Sequence, residues 1–289
     1  MSEFINRGTG LLLIEVINSN ANGDPDRDSD PRRREDGRGE ISPVSFKRKL
    51  RDLVDAKNAP IWQELSAELN LPSEGFDILE SKNTKREDVR KLTKDELLSK
   101  YWDARVFGTT FLEKNEKADS FIASGVAQFG LGVSLDPIKI ERMTTTKVLA
   151  VEDDKDKGMA PLAYRIVSYG LYAMPFFINA TAATKTQCTK KDIELLLRLI
   201  PHAYKENASY IRSQVDIRHA FYVEHSRARG TYNDFKIIDA LTPVRKDNAA
   251  SPAASWKDYD ETALQQSIAE LNEKLVGKTS PVADLMEIL

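Results

Sequence analysis

The sequence predicts an α+β fold in which strands and helices follow one another in the order β-α-β-β-α-β. The succession of strand and helix patterns along the chain supports this prediction. An apolar run at residues 11–17 precedes a helical pattern that starts at Ser42, and a helical pattern from Thr189 precedes an alternating run at residues 215–225. A further strand and a long hairpin are predicted between these two pairs. This order is that of a ferredoxin-like domain that carries insertions.

The first strand and the first helix are the most sharply defined elements. Residues 11–17 are apolar apart from Glu15, which indicates a strand buried on both faces. Ser42 is a preferred N-cap residue and Pro43 suits the first helical turn. Apolar side chains then recur at helical spacing and predict a core-facing stripe: Phe46, Leu50, Leu53 and Val54.

The middle of the chain predicts an insertion and a hairpin. Residues 58–110 are assigned to an inserted helical subregion, because the pattern there is helical and polar. Residues 125–135 mix glycine with alternating apolar side chains and predict a strand. Two strand-like stretches, at 138–147 and 164–179, flank a charged tip and predict an extended hairpin.

The second helical pattern has its own start and stop signals. Thr189 precedes Asp192 by three residues, which resembles a capping box, and the run ends at Pro201. Residues 215–225 alternate and predict the last strand, and residues 264–275 predict a C-terminal amphipathic helix.

Composition places the chain among globular proteins of the cell interior. Apolar residues make up 41% and charged residues 30% of its 289 residues, and one domain with insertions or two small domains both fit this length. No apolar run predicts a membrane span and the N-terminus does not resemble a signal peptide, so we expect a cytoplasmic protein without a membrane partner. The single cysteine, Cys188, excludes an intramolecular disulfide or a thiolate cluster.

Charge is segregated along the chain. The net charge is −3, which argues against a protein coated in positive charge. Residues 24–31 nevertheless hold four aspartates against one arginine, whereas residues 32–51 hold eight basic residues against three acidic ones. Any nucleic-acid site must therefore be local.

The acidic segment invites two metal hypotheses. Asp24, Asp26 and Asp28 alternate and Glu35 follows at the twelfth position, as in a calcium loop, but the sixth position is Ser29 instead of glycine and a strand precedes the segment. The same aspartates suit a metal-dependent nuclease, although their spacing does not select two metals. A solvated acidic loop is the favoured interpretation.

Two histidines fall on one face of the last predicted strand. His219 and His225 have the even spacing that allows a shared metal, but without a third ligand we favour structural histidines. The sequence has no G-x-S-x-G, P-loop or H-E-x-x-H motif, so it indicates neither these hydrolases nor an NTPase, and no cofactor is expected.

The nucleic-acid signal lies around the first strand and helix. Lys47 and Arg51 are four positions apart on the flank of the apolar stripe, where both can reach a phosphate beside the sheet. A solvated basic helix face is the alternative. Gln128 in the glycine-rich segment, and Arg142 and Lys147 at the hairpin root, are further donors, whose alternative is plain turn and strand structure. Aromatic residues typical of an RRM strand are missing, so base stacking on the sheet is not expected.

Five motifs in order resemble one known family. They are SNANGDPD, ISPVSFKRKLRD, WDARVFG, AQFGLGVSLDPI and SQVDIRHAFYVEHS. Together they make the chain resemble, over its whole length, the guide-RNA-coating backbone subunit of the type I-C CRISPR Cascade complex, in the RAMP superfamily. The resemblance implies a single RRM-like domain over residues 1–289, with a helical finger at 58–110 and a thumb hairpin at 139–165.

The resemblance also implies site residues. Lys47 and Arg48 become the first phosphate contacts, with Arg51 close behind, and Met159 becomes a wedge that displaces a base, or else ordinary hairpin packing. Asparagines are expected to line the RNA path at the strand end: Asn18, Asn20 and Asn22. Further contacts of second rank are Arg105, Phe107, Arg142 and Lys147.

The implied function is structural. Copies of the chain are expected to stack head to tail along the crRNA, to hold its backbone, and to leave its bases free to pair with target DNA. Other partners are the guide-processing, large and small subunits of Cascade. One alternative is a ribonuclease of the same superfamily that uses Asp24, Asp26 or Asp28, and another is a stand-alone single-strand binder.

Overall fold

A computed structural model describes residues 4–111, 121–148, 159–247 and 251–287. Its strands are β1 Gly8–Ser19, β2 Gly23–Asp24, β3 Asp30–Pro31, β4 Arg38–Ile41, β5 Gly108–Phe111, β6 Phe121–Ser124, β7 Ala127–Phe129, β8 Gly132–Pro137, β9 Ile140–Val148, β10 Met159–Ile178, β11 Val215–Glu224 and β12 Ala283–Asp284. Its α-helices are α1 Pro43–Asp55, α2 Pro60–Glu68, α3 Arg86–Val89, α4 Lys94–Lys100, α5 Trp102–Phe107, α6 Ala180–Thr186, α7 Lys190–Leu199, α8 Asp234–Leu241 and α9 Glu261–Leu275.

A large antiparallel sheet organises the chain, in the order β12-β11-β1-β10-β8-β4. β1 lies in its centre and is paired along most of its length with β10 on one side and β11 on the other. The 20-residue β10 also pairs with β7, β8 and β9, so it extends from the sheet into the hairpin. The α+β prediction is confirmed.

Both faces of β1 are covered. Leu12, Ile14 and Val16 belong to a buried cluster that includes side chains of α1, α5 and α7. Leu11 and Leu13 belong to a second cluster on the other face, with side chains of α8 and α9. Successive residues of a strand point to opposite faces, so a sheet covered on both faces requires the unbroken apolar run.

Helix α1 begins where the sequence predicts. The Ser42 side chain accepts a hydrogen bond from the Ser45 amide, Pro43 occupies the first turn, and the predicted apolar stripe is buried. The capping box at Thr189 is also present, with reciprocal bonds to Asp192 at the start of α7. Both predictions are confirmed.

Two buried ion pairs connect α5 to α7 and to α1. Arg105 donates from Nη2 and Nε to the Asp192 carboxylate at 2.7 and 3.1 Å, and also to the carbonyls of Leu98 and Gly75. Arg51 of α1 donates from Nε to Asp103 at 2.9 Å. Because each guanidinium is buried against a carboxylate, both arginines have a structural role in this chain.

The predicted strand at 125–135 is instead the two strands β7 and β8. Pro175 of β10 faces the break: it has no N–H to donate, and its carbonyl accepts from the Gly130 amide at 2.7 Å. The predicted hairpin is present as β9 paired with β10, with Val148 opposite Met159. Its tip, residues 149–158, lies outside the described residues. The division into palm, finger and thumb stays a prediction.

Other elements were not predicted. Helix α6 follows β10, α8 covers the second face of the sheet, and β12 pairs with Phe221 and Tyr222 at the sheet edge. Cys188 is buried, and burial raises its thiol pKa. None of the helices in the described part of the chain combines the length and the apolar character needed to cross a membrane.

Removing the Arg105 side chain is expected to destabilise the fold strongly. Arg105→Ala leaves the buried carboxylate of Asp192 without its cation, and we expect a loss of about 3–5 kcal/mol in the free energy of unfolding. Urea denaturation followed by circular dichroism measures this loss. Arg142→Ala, at an exposed position on β9, is the control and should change stability by less than about 0.5 kcal/mol. Equal effects of the two variants would contradict the structural role of Arg105.

Candidate nucleic-acid interface

Of the three asparagines at the end of β1, one is exposed and two are buried. Asn18 is exposed and adopts a positive φ of 46°, a left-handed conformation that asparagine tolerates. Asn22 is buried, and its Oδ1 accepts from the Ser42 amide at 2.7 Å, which fixes the strand end to the start of α1. Asn20 is 2% exposed, and its Nδ2 donates to the Ser29 carbonyl at 2.8 Å. Only Asn18 of the three therefore presents its side chain to solvent.

The basic residues of α1 point in different directions. Arg48 is exposed and lies beside Asp52 and Glu80, with its side chain also donating to the Glu80 carbonyl. Lys47 is half-buried, with Nζ 5.4 Å from the centre of the Phe107 ring. Burial and the nearby Arg51 lower the pKa of Lys47. Lys47 and Arg48 thus form the accessible part of the predicted basic helix.

Phe107 connects the helix to the inserted region. The guanidinium of Arg51 lies 5.0 Å from the centre of its ring, so two cations, Lys47 and Arg51, face one aromatic side chain. Phe107 is 8% exposed and also lines a cleft of about 710 Å³ with Glu80, Arg86 and other residues of the insertion. The Phe107 ring therefore contacts cations of α1 and also lines this cleft.

A further cation, Lys49, is buried beside the strand end. Its Nζ lies 5.0 Å from the centre of the Tyr204 ring, and no carboxylate pairs with it among the described residues. Burial, followed by repulsion from Arg212, lowers the pKa of Lys49 to about 8. Arg212 donates from Nε to the Asn20 carbonyl at 3.3 Å. Lys49 and Arg212 therefore place two cations near the end of β1.

An aromatic pair lies at the foot of the hairpin. The rings of Tyr164 on β10 and Tyr210 meet edge-on, 5.5 Å apart, and their hydroxyl groups are 3.1 Å apart. Tyr210 is 69% exposed and belongs to a 3-10 turn, Tyr210–Arg212, just before β11. An exposed aromatic ring suits stacking on an unpaired base. Sequence periodicity missed this pair, because the turn has no helical or strand pattern.

The remaining predicted contacts are on β7 and the hairpin. Gln128 is exposed and donates weakly to the Gly125 carbonyl at 3.4 Å. Arg142 is exposed on β9. The side chains of Lys147 and Met159 lie outside the described part of the structure, so their contacts stay predictions.

The acidic segment folds back onto the sheet. The Asp30 carboxylate pairs with Arg165 of β10, and Asp24 lies 3.8 Å from Arg32. Within the described ranges, no group of three or more His, Cys, Asp or Glu side chains has a geometry that could hold a metal ion. The acidic segment therefore lies against two cations, Arg165 and Arg32.

The accessible cations lie on separate elements. Arg48 is exposed and Lys47 is half-buried on α1, and Arg165 is exposed on β10. Tyr210 adds an exposed aromatic ring just before β11. Cations and an exposed ring of these kinds can contact phosphates and stack a base.

Comparison with known proteins identifies the family. The model of the family described as CRISPR-associated protein Cas7 matches residues 6–264. The chain belongs to this family. No curated protein sequence matches it.

Two solved structures resemble this Cas7 family member. One, described as a CRISPR RNA-guided surveillance complex, shares 15% identity at a TM-score of 0.47, over 93% of this chain and 83% of that one. The other, described as a CRISPR RNA-guided surveillance complex, pre-nicking, shares 15% identity at a TM-score of 0.51, over 93% and 89%. At this identity, the second likeness shows a shared fold.

His219 and His225 of this Cas7 family member each have a separate partner. His219 Nδ1 lies 2.7 Å from Asp284, and His225 Nε2 lies 3.3 Å from Asp234. His225 Nδ1 accepts from the Thr231 amide at 3.0 Å, which assigns the proton to Nε2. Burial lowers the pKa of His225, against the opposing effect of Asp234. Both histidines fit the structural interpretation favoured by the sequence.

The burial of Lys49 predicts that its own contribution to stability rises at alkaline pH. Its pKa is about 8 in the folded chain and near 10.5 when unfolded, so the unfolded state binds more protons at this residue between these values. The contribution of Lys49 to the free energy of unfolding should therefore increase from pH 8 to pH 10.5, by up to about 3 kcal/mol. Burial raises the pKa of Cys188 and Tyr204, which act in the opposite direction in every variant. Lys49→Met should lose this increase relative to wild type, as measured by urea denaturation at each pH. Lys185→Met, at an exposed position, should retain it; equal pH profiles for all three proteins would contradict the assignment.

Proposed function

We propose that this chain is the non-catalytic backbone subunit of a type I-C CRISPR Cascade complex, which coats crRNA in several head-to-tail copies. The match of residues 6–264 to the Cas7 family carries the proposal. The order of the five sequence motifs supports the type I-C assignment. In this function, the subunit binds the RNA backbone and presents the bases to target DNA for antiviral defence.

The sheet supports an RRM-like palm. Counted along the chain, β1, β8, β10 and β11 are the first, second, third and fourth strands of the predicted core. They lie in the order fourth, first, third, second and are antiparallel neighbours. This arrangement agrees with the ferredoxin-like topology that the element order predicts. The helices between Pro60 and Phe107 would then be the finger, and the β9–β10 hairpin the thumb.

The charge distribution supports backbone recognition. The bases of a guide vary in sequence, so a coating subunit has to contact phosphate and ribose and leave the base edges free. Lys47 and Arg48 on α1 and Arg142 on β9 are accessible cations, and a cation that contacts phosphate does not read the base sequence. A protein of net charge −3 then binds RNA through a local surface.

Charge reversal on α1 tests the RNA contact. Lys47→Glu with Arg48→Glu should reduce the RNA that co-purifies with the chain and should flatten the salt dependence of binding by about 0.7 per lost phosphate contact. The ratio of absorbance at the nucleic-acid and protein maxima measures retention, and gel sizing shows whether the RNA has a uniform length.

A charge-matched control is available at the other end of the sheet. Lys185 lies in α6, directly after the end of β10 that pairs with Gly8, so Lys185→Glu changes charge away from the end of β1. This control should retain RNA. Unchanged RNA content in the α1 double variant would contradict the assignment of Lys47 and Arg48.

The absence of catalysis is tested directly. Assembled complex incubated with magnesium and RNA complementary to its guide should leave that RNA intact, as judged on a denaturing gel. Regularly spaced cuts that disappear in Asp24→Ala, Asp26→Ala or Asp28→Ala would instead establish the ribonuclease alternative. RNA bound at an indefinite length and stoichiometry would indicate a stand-alone single-strand binder.

A further inference from the structure

The acidic loop, residues 24–30, is held over the end of β1 by contacts at two points. The Ser29 carbonyl accepts from Asn20 Nδ2 at 2.8 Å, and the Asp30 carboxylate pairs with the guanidinium of Arg165. The Asp30 side chain is 20% exposed, whereas that of Arg165 is 49% exposed. The loop therefore neutralises a cation that solvent, and a ligand in solvent, can reach.

Two arginines flank the end of β1. Arg165 belongs to β10, the neighbour of β1 on one side. Arg212 lies three residues before the start of β11, the neighbour on the other side, and donates to the Asn20 carbonyl. Asn20 lies between them, so the strand end has a cation on each side. Of the two, Arg165 is the one covered by a carboxylate of the acidic loop.

One hydrogen-bond acceptor of the Asn20 side chain has no partner. Its Nδ2 is bonded to the loop, but its Oδ1 is buried and has no donor, although the residue is 2% exposed. A buried acceptor without a partner is costly and rare in folded proteins. The loop thus binds one side of this amide and leaves its acceptor without a donor. A ribose 2′-hydroxyl is a donor that could satisfy it, and one that DNA lacks.

We propose that Arg165 binds a phosphate of single-stranded RNA and that Asp30 occupies Arg165 until the RNA binds. This inference rests on the proposed function and adds a site to it. A carboxylate and a phosphate both offer paired oxygens to a guanidinium, so RNA exchanges one anion for another and Arg165 stays paired throughout. When the loop moves aside, the Asn20 amide oxygen accepts from the adjoining ribose.

The expected change in RNA affinity is modest, because the phosphate replaces one anion on Arg165 with another. Ion pairs that are partly open to solvent are weak, so a phosphate can displace Asp30. Asp30→Asn removes the carboxylate that competes with RNA for Arg165. This variant should therefore bind RNA about two- to fivefold more tightly than wild type. Arg165→Gln should bind more weakly and should lower the salt slope by about 0.7, the contribution of one single-strand phosphate contact.

The experiment measures binding of a fluorescein-labelled polyuridine oligonucleotide to the full-length chain by fluorescence anisotropy, at several salt concentrations. Asp26→Asn is the matched control, because Asp26 is exposed in the same loop and the substitution removes the same charge. Asp30→Asn should exceed Asp26→Asn in affinity. In the Arg165→Gln background, the gain from Asp30→Asn should disappear, because the masked cation is gone.

Equal affinities of Asp30→Asn and Asp26→Asn would overturn the masking of Arg165. An unchanged affinity and salt slope in Arg165→Gln would overturn the phosphate contact. A wild-type chain that binds no polyuridine even at low salt would overturn the proposed function instead. Circular dichroism checks folding, and if Arg165→Gln fails to fold, the comparison of the two aspartate variants still decides the masking.

Discussion

The burial of β1 on both faces is the constraint on which the other features depend. Leu12 and Leu13 point to opposite clusters, and β10 and β11 satisfy the backbone of the strand on both edges. A strand enclosed in this way has no free edge, and up to Asn18 its faces are apolar except at Thr9 and Glu15. Glu15 accepts hydrogen bonds from Tyr169 and Arg218, so Asn18 is the first exposed polar side chain along the strand.

The same strand end determines how the charges of α1 are distributed. Asn22 binds the Ser42 amide and thereby fixes the start of the helix relative to the strand. Helical periodicity then turns Arg51 toward Asp103 and leaves Arg48 exposed. A single basic segment therefore supplies a structural ion pair and an accessible cation. Both arginines lie near carboxylates, and burial of the Arg51–Asp103 pair, more than basic composition, decides which role each residue takes.

This distinction explains what the sequence could predict. Periodicity and capping residues identified β1, α1 and α7 because local geometry imposes these patterns. The side-chain roles of Arg51 and Arg105 could not be predicted in the same way, since Asp103 and Asp192 are distant in sequence and only the fold brings them together. Tyr210 and Arg212 were missed for a related reason: a short 3-10 turn leaves no periodic trace.

In the proposed function, the ion pair between Asp30 and Arg165 would keep this cation in place and would yield to a phosphate, because a pair that is partly open to solvent is weak. Each contact made in this way is individually weak. If copies of the chain lie side by side along one guide, as in the proposed function, the weak contacts combine into stable binding through effective concentration. Free chains then bind unrelated RNA poorly, whereas neighbouring copies hold a guide firmly.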